Sequence, residues 1–180
     1  MREPEPGTIR RARAGDLAAF ESLVRDYQAD VWRFAYHLTR NRTTADDVTQ
    51  EAFLKAYRSL GTFRGDAKFS SWLLRITHNC AIDAFRRARR EGPVPDDVLA
   101  GLAVERPQGS AEDRLRIAQA VRRLSPELRE PFVVIEVLGF SYEEASTILG
   151  VRLGTVKSRM HRARAALART LTEEEAAGEV

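Results

Sequence analysis

Apolar residues along this chain return at three- and four-residue steps, the period of helices that bury one side. Phe20, Leu23, Val24, Tyr27, Val31, Phe34, Ala35 and Leu38 form the first stripe, and Asp16 after Gly15 is placed to cap it. The pattern predicts a second helix from about Thr44 to Leu60 and a third from about Ser70 to Arg89. The glycine-bearing loop Gly61 to Lys68 separates them. Strict alternation, the mark of a strand, is not convincing anywhere. Phe132-Val133-Val134-Ile135 is short and flanked by helix formers, and it reads as buried helix.

From Glu91 to Gly109 the character changes. Gly92, Pro93, Pro95, Gly101, Pro107 and Gly109 exclude a long helix, so this stretch reads as a linker of roughly twenty residues, able to span on the order of 65 Å. Helices resume with Ser110 as cap and Asp113 three residues on, with Leu115, Ala118, Val121 and Leu124 on one face. Ser125-Pro126 opens another helix, Pro131 should kink it, and Gly139 closes it. The expected architecture is all-α, with two small helical domains at 1–90 and 111–172. A flexible acidic linker at 91–110 joins them, and an acidic tail follows at 173–180.

The net charge of +3 hides strong segregation. Arg75 to Arg90 holds five arginines against Asp83 alone, and Arg152 to Arg169 holds six cations and no acid. The intervening Glu91 to Asp113 holds six acids against Arg106. Two basic blocks around an acidic spacer suggest two places that meet a polyanion. No apolar run approaches a membrane span, the N-terminus lacks a signal-peptide core, and a cytoplasmic protein is expected. Cys80 is the single cysteine and reads as a packed thiol. His37, His78 and His161 are too scattered for a metal site.

The sharpest motif runs from Ser141 to Arg164. Ser141 and Glu144 form a capping box, Gly150 suits a tight turn, and small Ser146 allows two helices to approach. In the second helix Val156, Met160, Ala163 and Leu167 make the buried stripe, while Gly154, Thr155, Ser158, His161, Arg162 and Arg169 point away. Lys157 and Arg159 lie on the flanks. Hydroxyls and long cations near a helix N-terminus suit a DNA major groove.

In the N-terminal half, Asp47, Gln50, Glu51 and Leu54 share one helix face, an acidic-polar patch around an exposed leucine that could dock a protein. Leu73, Ile76, Thr77, Cys80 and Ala84 cover the inner side of the next helix. Arg75, Asn79, Asp83, Arg86 and Arg87 leave a polar ridge. The preceding loop, Phe63 to Ser70 with Lys68 and Phe69, mixes aromatics, glycine and charge and could enclose an unpaired base. Trp72 reads as core more than as a stacking platform.

Three blocks in order resemble the extracytoplasmic-function sigma factors of the sigma-70 family. They are Asp46 to Tyr57, Phe69 to Asp83 with Trp72, Arg75 and Asn79, and Ser141 to Glu144 followed by Gly154 to Arg159. The resemblance covers nearly the whole chain. It implies a sigma factor that brings core RNA polymerase to a promoter class and promotes DNA opening, with no catalysis and no cofactor. Asp47, Gln50, Glu51 and Leu54 would then dock on the clamp helices of the β′ subunit, with the β flap a further polymerase contact. Phe63, Lys68, Phe69, Ser70, Arg75, Asn79, Asp83, Arg86 and Arg87 would meet the minus-ten element. Arg152, Thr155, Lys157, Ser158, Arg159, His161 and Arg162 would read the minus-thirty-five element. The resemblance also implies an anti-sigma partner, and no regulatory module appended after Leu171. The sequence departs from the family at Val48-Thr49, Tyr57 and Ala145-Ser146. Two rival classes stand beside this one. An autonomous helix-turn-helix regulator would bind promoter duplex without polymerase. An enzyme would need a nucleophile–base pair, a metal cluster or a phosphate loop, and none is evident in the sequence.

Overall fold

A computed structural model describes residues 1–91 and 111–178, and it is helical throughout, with no strand among the described residues. The expected linker and the Ser110 cap lie outside the described residues, apart from Glu91, which ends a helix. The chain forms two compact units.

The first unit contains α1 (Pro6–Arg13), α2 (Leu17–Thr39), α3 (Arg42–Ser59), a 3₁₀ turn (Leu60–Thr62) and α4 (Phe69–Glu91). Asp16 caps α2 as its position predicts, its carboxylate accepting the Ala19 N–H at 3.1 Å. α2 ends on Arg40, a non-glycine residue with a left-handed φ of 55°. One residue later Asn41 caps α3, accepting the Thr44 N–H at 2.9 Å. Two long helices thus meet through a two-residue corner, and α2, α3 and α4 pack against one another. Their common core holds Leu23, Val31, Phe34, Val48, Leu73 and Leu74, all essentially inaccessible. α1 is not foreseen by the periodicity. Pro6 stands in its first turn and its one buried residue is Ala12.

From residue 111 onward the chain forms α5 (Ala111–Arg123), α6 (Pro126–Phe132), a π turn (Val133–Val137), α7 (Tyr142–Leu149) and α8 (Leu153–Gly178). Pro131 has no N–H to return to the preceding turn, and the helix widens just beyond it. The Leu138 N–H reaches back five residues to Val133 O at 3.0 Å, and that of Phe140 six to Val134 O at 3.1 Å. Gly139, at φ 77°, supplies the left-handed residue that lets the chain leave. The expected helix at Phe132–Ile135 is therefore present but wide, with Val133 and Val134 buried. Arg129 is buried, and its guanidinium donates to Leu124 O at 3.4 Å and Arg122 O at 3.5 Å, so a core cation closes the C-terminus of α5. The expected acidic tail begins as a continuation of α8, whose backbone stays helical to Gly178.

The junction at Asn41 gives the first test of this architecture. Asn41→Ala should remove the α3 cap and destabilise the first unit by about 1 kcal/mol. A urea unfolding midpoint unchanged from wild type would show that the corner holds without it.

Candidate functional site: two polar helix surfaces

Small residues decide which side of α3 is inside. Ala45, Ala52 and Ala56, with Val48, are buried, so α3 lies close to its neighbours and its longer residues are left at the margin. Asp47 and Gln50 are exposed, and Leu54 is 57 % exposed, as the expected docking patch requires. Glu51 differs: it is half-buried and turned towards α4. Its carboxylate pairs with Lys55 at 2.9 Å and with Arg87 of α4 at 2.9 Å. Lys55 also reaches Asp83 at 3.5 Å, and Arg86 lies 3.7 Å from Asp83. The chain of charges Arg87–Glu51–Lys55–Asp83–Arg86 therefore joins residues that sequence reasoning placed in two separate surfaces.

Beside this network an open groove of ≈ 620 Å³ runs between α3 and α4. Lys55, Arg58 and Ser59 form one wall, and Asn79, Asp83 and Arg86 the other, with Ile76 and Ile82 also lining it. Asn79, Asp83 and Arg86 were expected on the polar ridge. Lys55, Arg58, Ser59, Ile76 and Ile82 were not, although Lys55 and Ser59 are four apart and so share a helix face. Arg75 is exposed one turn before Asn79.

The aromatics of the loop before α4 turn inward. Phe63, Phe69 and Ser70 are buried and present no free stacking face. Phe63 and Phe69 meet at 5.8 Å between ring centroids, and Trp72 closes the cluster at 5.1 Å from Phe63 and 5.5 Å from Phe69. Apolar burial and edge contacts among three rings explain why these aromatics turn inward. Ser70 donates its hydroxyl to the Glu3 carboxylate. Lys68 remains exposed, as do Arg64 and Asp66. Cys80 is buried on the inner face of α4, and burial pushes its thiol up from the ordinary range.

In the second unit the capping box closes as the motif predicts. The Ser141 N–H donates to Glu144 at 2.8 Å, and the Glu144 N–H donates to Ser141 Oγ at 3.1 Å. Gly150 takes φ 66° in the turn, and the Ser146 hydroxyl donates to Val151 O at 2.6 Å, pinning that turn beyond mere close approach. Val156, Met160, Ala163 and Leu167 are buried. Arg152, Lys157, Ser158, His161 and Arg162 are exposed, while Thr155 and Arg159 are half-buried. The cations of α8 are not all uncompensated, as the linear sequence suggests. Arg164 pairs with Glu136 at 2.6 Å and Arg159 lies 3.8 Å from Glu127, both acids arriving from the preceding helical segment. A second groove, of ≈ 480 Å³, is lined by Tyr142, Lys157, His161, Arg164 and Ala165. A cation-lined helix face with a pinned N-terminus can grip a phosphate backbone and reach base edges.

Comparison with known proteins matches both units. Residues 23–91 fit the family model for sigma-70 region 2, and residues 114–167 fit that for sigma-70 region 4. The extracytoplasmic-function RNA polymerase sigma factor SigM of Mycobacterium tuberculosis is 40 % identical over 158 residues, covering 88 % of this chain and 80 % of that protein. The RNA polymerase sigma-H factor of Pseudomonas aeruginosa is 35 % identical over 183 residues, 94 % of each chain. Among solved structures, RpoE in complex with the anti-sigma factor NepR from Bartonella quintana superposes with a TM-score of 0.73 at 29 % identity, covering 85 % of this chain and 96 % of that one. CnrH, solved with the cytosolic domain of CnrY, gives 0.69 at 28 % identity over 92 % of this chain and 96 % of that one.

The charge network carries a pH signature. Lys55, and after it Arg87, hold the Glu51 carboxyl below its ordinary 4.5. The group is more acidic folded than unfolded, so its contribution to stability is complete above the ordinary value and is lost as acid titrates the folded carboxylate. Glu51→Gln should therefore cost stability at neutral pH, and the gap to wild type should close as pH falls below 4.5. The gap should also shrink with added salt, because these side chains are partly exposed. Chemical denaturation across an acid pH series checks this, and a gap independent of pH would refute it.

Proposed function

We propose how two surfaces divide the work in this chain, which belongs to the extracytoplasmic-function sigma factors of the sigma-70 family. It is an RNA polymerase sigma factor: it directs core polymerase to a class of promoters and takes part in initiating transcription there. The finer assignment concerns which side chains do what, and the α3–α4 groove carries it. Cations, an amide and aliphatic side chains converge there within one open cleft.

In this reading the groove receives the minus-ten element. Arg58, Arg86 and the nearby Arg75 and Arg87 hold phosphates, which sets register without reading sequence. The Asn79 amide offers a donor and an acceptor to a base edge, and Ile76 and Ile82 give an extruded base an apolar surface. Flipping that base costs a few kcal/mol, which contacts in the groove would offset. Phe63, Phe69 and Ser70 act from beneath, shaping the loop that carries exposed Lys68. Asp47, Gln50 and Leu54 face the polymerase, on the β′ clamp helices, and Glu51 links that face to the groove through Arg87.

Arg152, Thr155, Lys157, Ser158, Arg159, His161 and Arg162 meet the minus-thirty-five element. Arg159 would exchange its long contact with Glu127 for DNA. Phosphate contacts of this kind release counterions, so each unit alone binds weakly and in a salt-dependent way. Mounted together on polymerase, they gain through effective concentration. The sigma factor RpoE was solved with the anti-sigma factor NepR, and a protein of the anti-sigma kind is the expected regulator here. Among the described residues no helix is long and apolar enough to cross a membrane, which suits a factor working in the cytoplasm.

Run-off transcription with core polymerase over a promoter library tests the whole reading. Selective initiation on adding the chain is expected, and tight duplex binding without polymerase would indicate an autonomous regulator instead. Within that assay Arg159→Ala should weaken use of the upstream element by about 1–3 kcal/mol. Asn79→Ala should lower the open-complex fraction about tenfold while leaving the upstream contact alone, the loss of roughly one base-specific contact. Normal opening by Asn79→Ala would remove the groove from the mechanism.

A further inference from the structure

The groove's walls come from the last turns of α3 and the second to fifth turns of α4, and the loop 61–68 joins the two helices. Anything that fixes the two ends of this loop fixes the spacing of Arg58 and Ser59 from Ile76 and Asn79. The chain's first residues touch both ends.

At the α4 end, the Glu3 carboxylate accepts the Phe69 N–H at 2.9 Å, the Ser70 N–H at 3.2 Å and the Ser70 hydroxyl. The opening turn of a helix has N–H groups without partners inside the helix, and Lys68, which precedes Phe69, has no side-chain acceptor to cap them. A carboxylate 66 residues away in sequence takes that place. The neighbouring Arg2 carbonyl accepts the Tyr27 hydroxyl, and the Tyr27 ring lies edge-on to Phe69 at 5.4 Å. Burial, and after it the charge of Glu3, pushes the Tyr27 hydroxyl well above its ordinary range, so it stays a donor at any working pH.

At the α3 end, the Arg13 guanidinium donates to Gly61 O at 3.4 Å, beside the 3₁₀ turn. α1 is held for that purpose. Arg11 pairs with Asp16 at 2.6 Å, and Asp16 is itself the cap of α2. We propose that residues 2–13 are a brace that clasps the loop 61–68 at both ends and keeps the α3–α4 groove open for an extruded base. This rests on the assignment of that groove to the minus-ten element. Glu3 and Arg13 are thus positioning residues that touch no DNA. The opposite sign would follow if Glu3 were a plug, standing where a phosphate binds and leaving when DNA arrives.

The test uses the full chain with core polymerase. Glu3→Ala, Glu3→Gln and Arg13→Ala are compared with wild type for folded content by circular dichroism and for affinity to core polymerase. Promoter opening is read by permanganate attack on unpaired thymines. Glu3→Ala should lower the open fraction about fivefold, the size expected for a lost helix cap, at unchanged fold and unchanged polymerase affinity. Glu3→Gln should lose less, because its amide oxygen still accepts a hydrogen bond, and Arg13→Ala should lose a similar or smaller amount. A promoter already unpaired across the minus-ten element should restore most of the Glu3→Ala deficit, which a loss of folded protein would not allow. Unchanged opening by Glu3→Ala, or a fall matching lost folded protein, overturns the brace, and increased opening replaces it with the plug. Asn79→Ala run alongside separates the two readings. If it opens normally, the groove assignment fails and the brace with it; if it is impaired while Glu3→Ala is not, only the brace fails.

Discussion

The close packing of α3 governs the polar surface of the first unit. Ala45, Ala52 and Ala56 bury side chains of one carbon, so α3 can approach its neighbours at the short end of helix packing distances. From α3, Lys55 reaches Asp83 and Glu51 reaches Arg87 on α4. The ion pairs are individually weak at such exposure. Their effect is directional: they join the margin of α3 to α4 beside the groove.

The second unit solves a different problem, that of presenting cations at a helix N-terminus without letting the helix wander. The Ser141–Glu144 box, the Ser146 hydroxyl on Val151 O and the left-handed Gly150 anchor the turn from three sides. The wide turn after Pro131 carries Glu136, which takes up Arg164, while Lys157 and Arg162 earlier on α8 are exposed. Charge is thereby concentrated toward the start of α8, the end that enters a major groove in helix-turn-helix proteins.

Legibility followed sequence distance. The caps at Asp16 and Ser141, the stripe on α8 and the turn at Gly150 were readable because each interaction closes within a few residues and each residue type has a narrow local use. The family blocks were recognisable for the same reason, since most of their residues sit on single helices. The burial of Phe63 and Phe69 was not legible, because an aromatic in a glycine-bearing loop is equally at home against a base or against Trp72, and only tertiary contact decides. Lys55, Arg58 and Ser59 escaped notice because nothing local says which margin of α3 meets α4; the alanine spacing at 45, 52 and 56 was the available clue. α1 escaped because eight residues with one buried alanine leave almost no periodic signal. Glu3 was beyond reach, as its partners lie 66 and 67 residues on.

Cys80 gives the first unit an internal reporter. It is the only sulfhydryl in the chain and lies sealed beneath α4, its ionisation suppressed by burial. An aqueous alkylating reagent can reach it only when α4 lifts from the bundle, so its modification rate measures how often that happens. The native chain thus records any tightening or loosening of α4 by promoter, polymerase or inhibitor, with no label added to the surfaces that bind them.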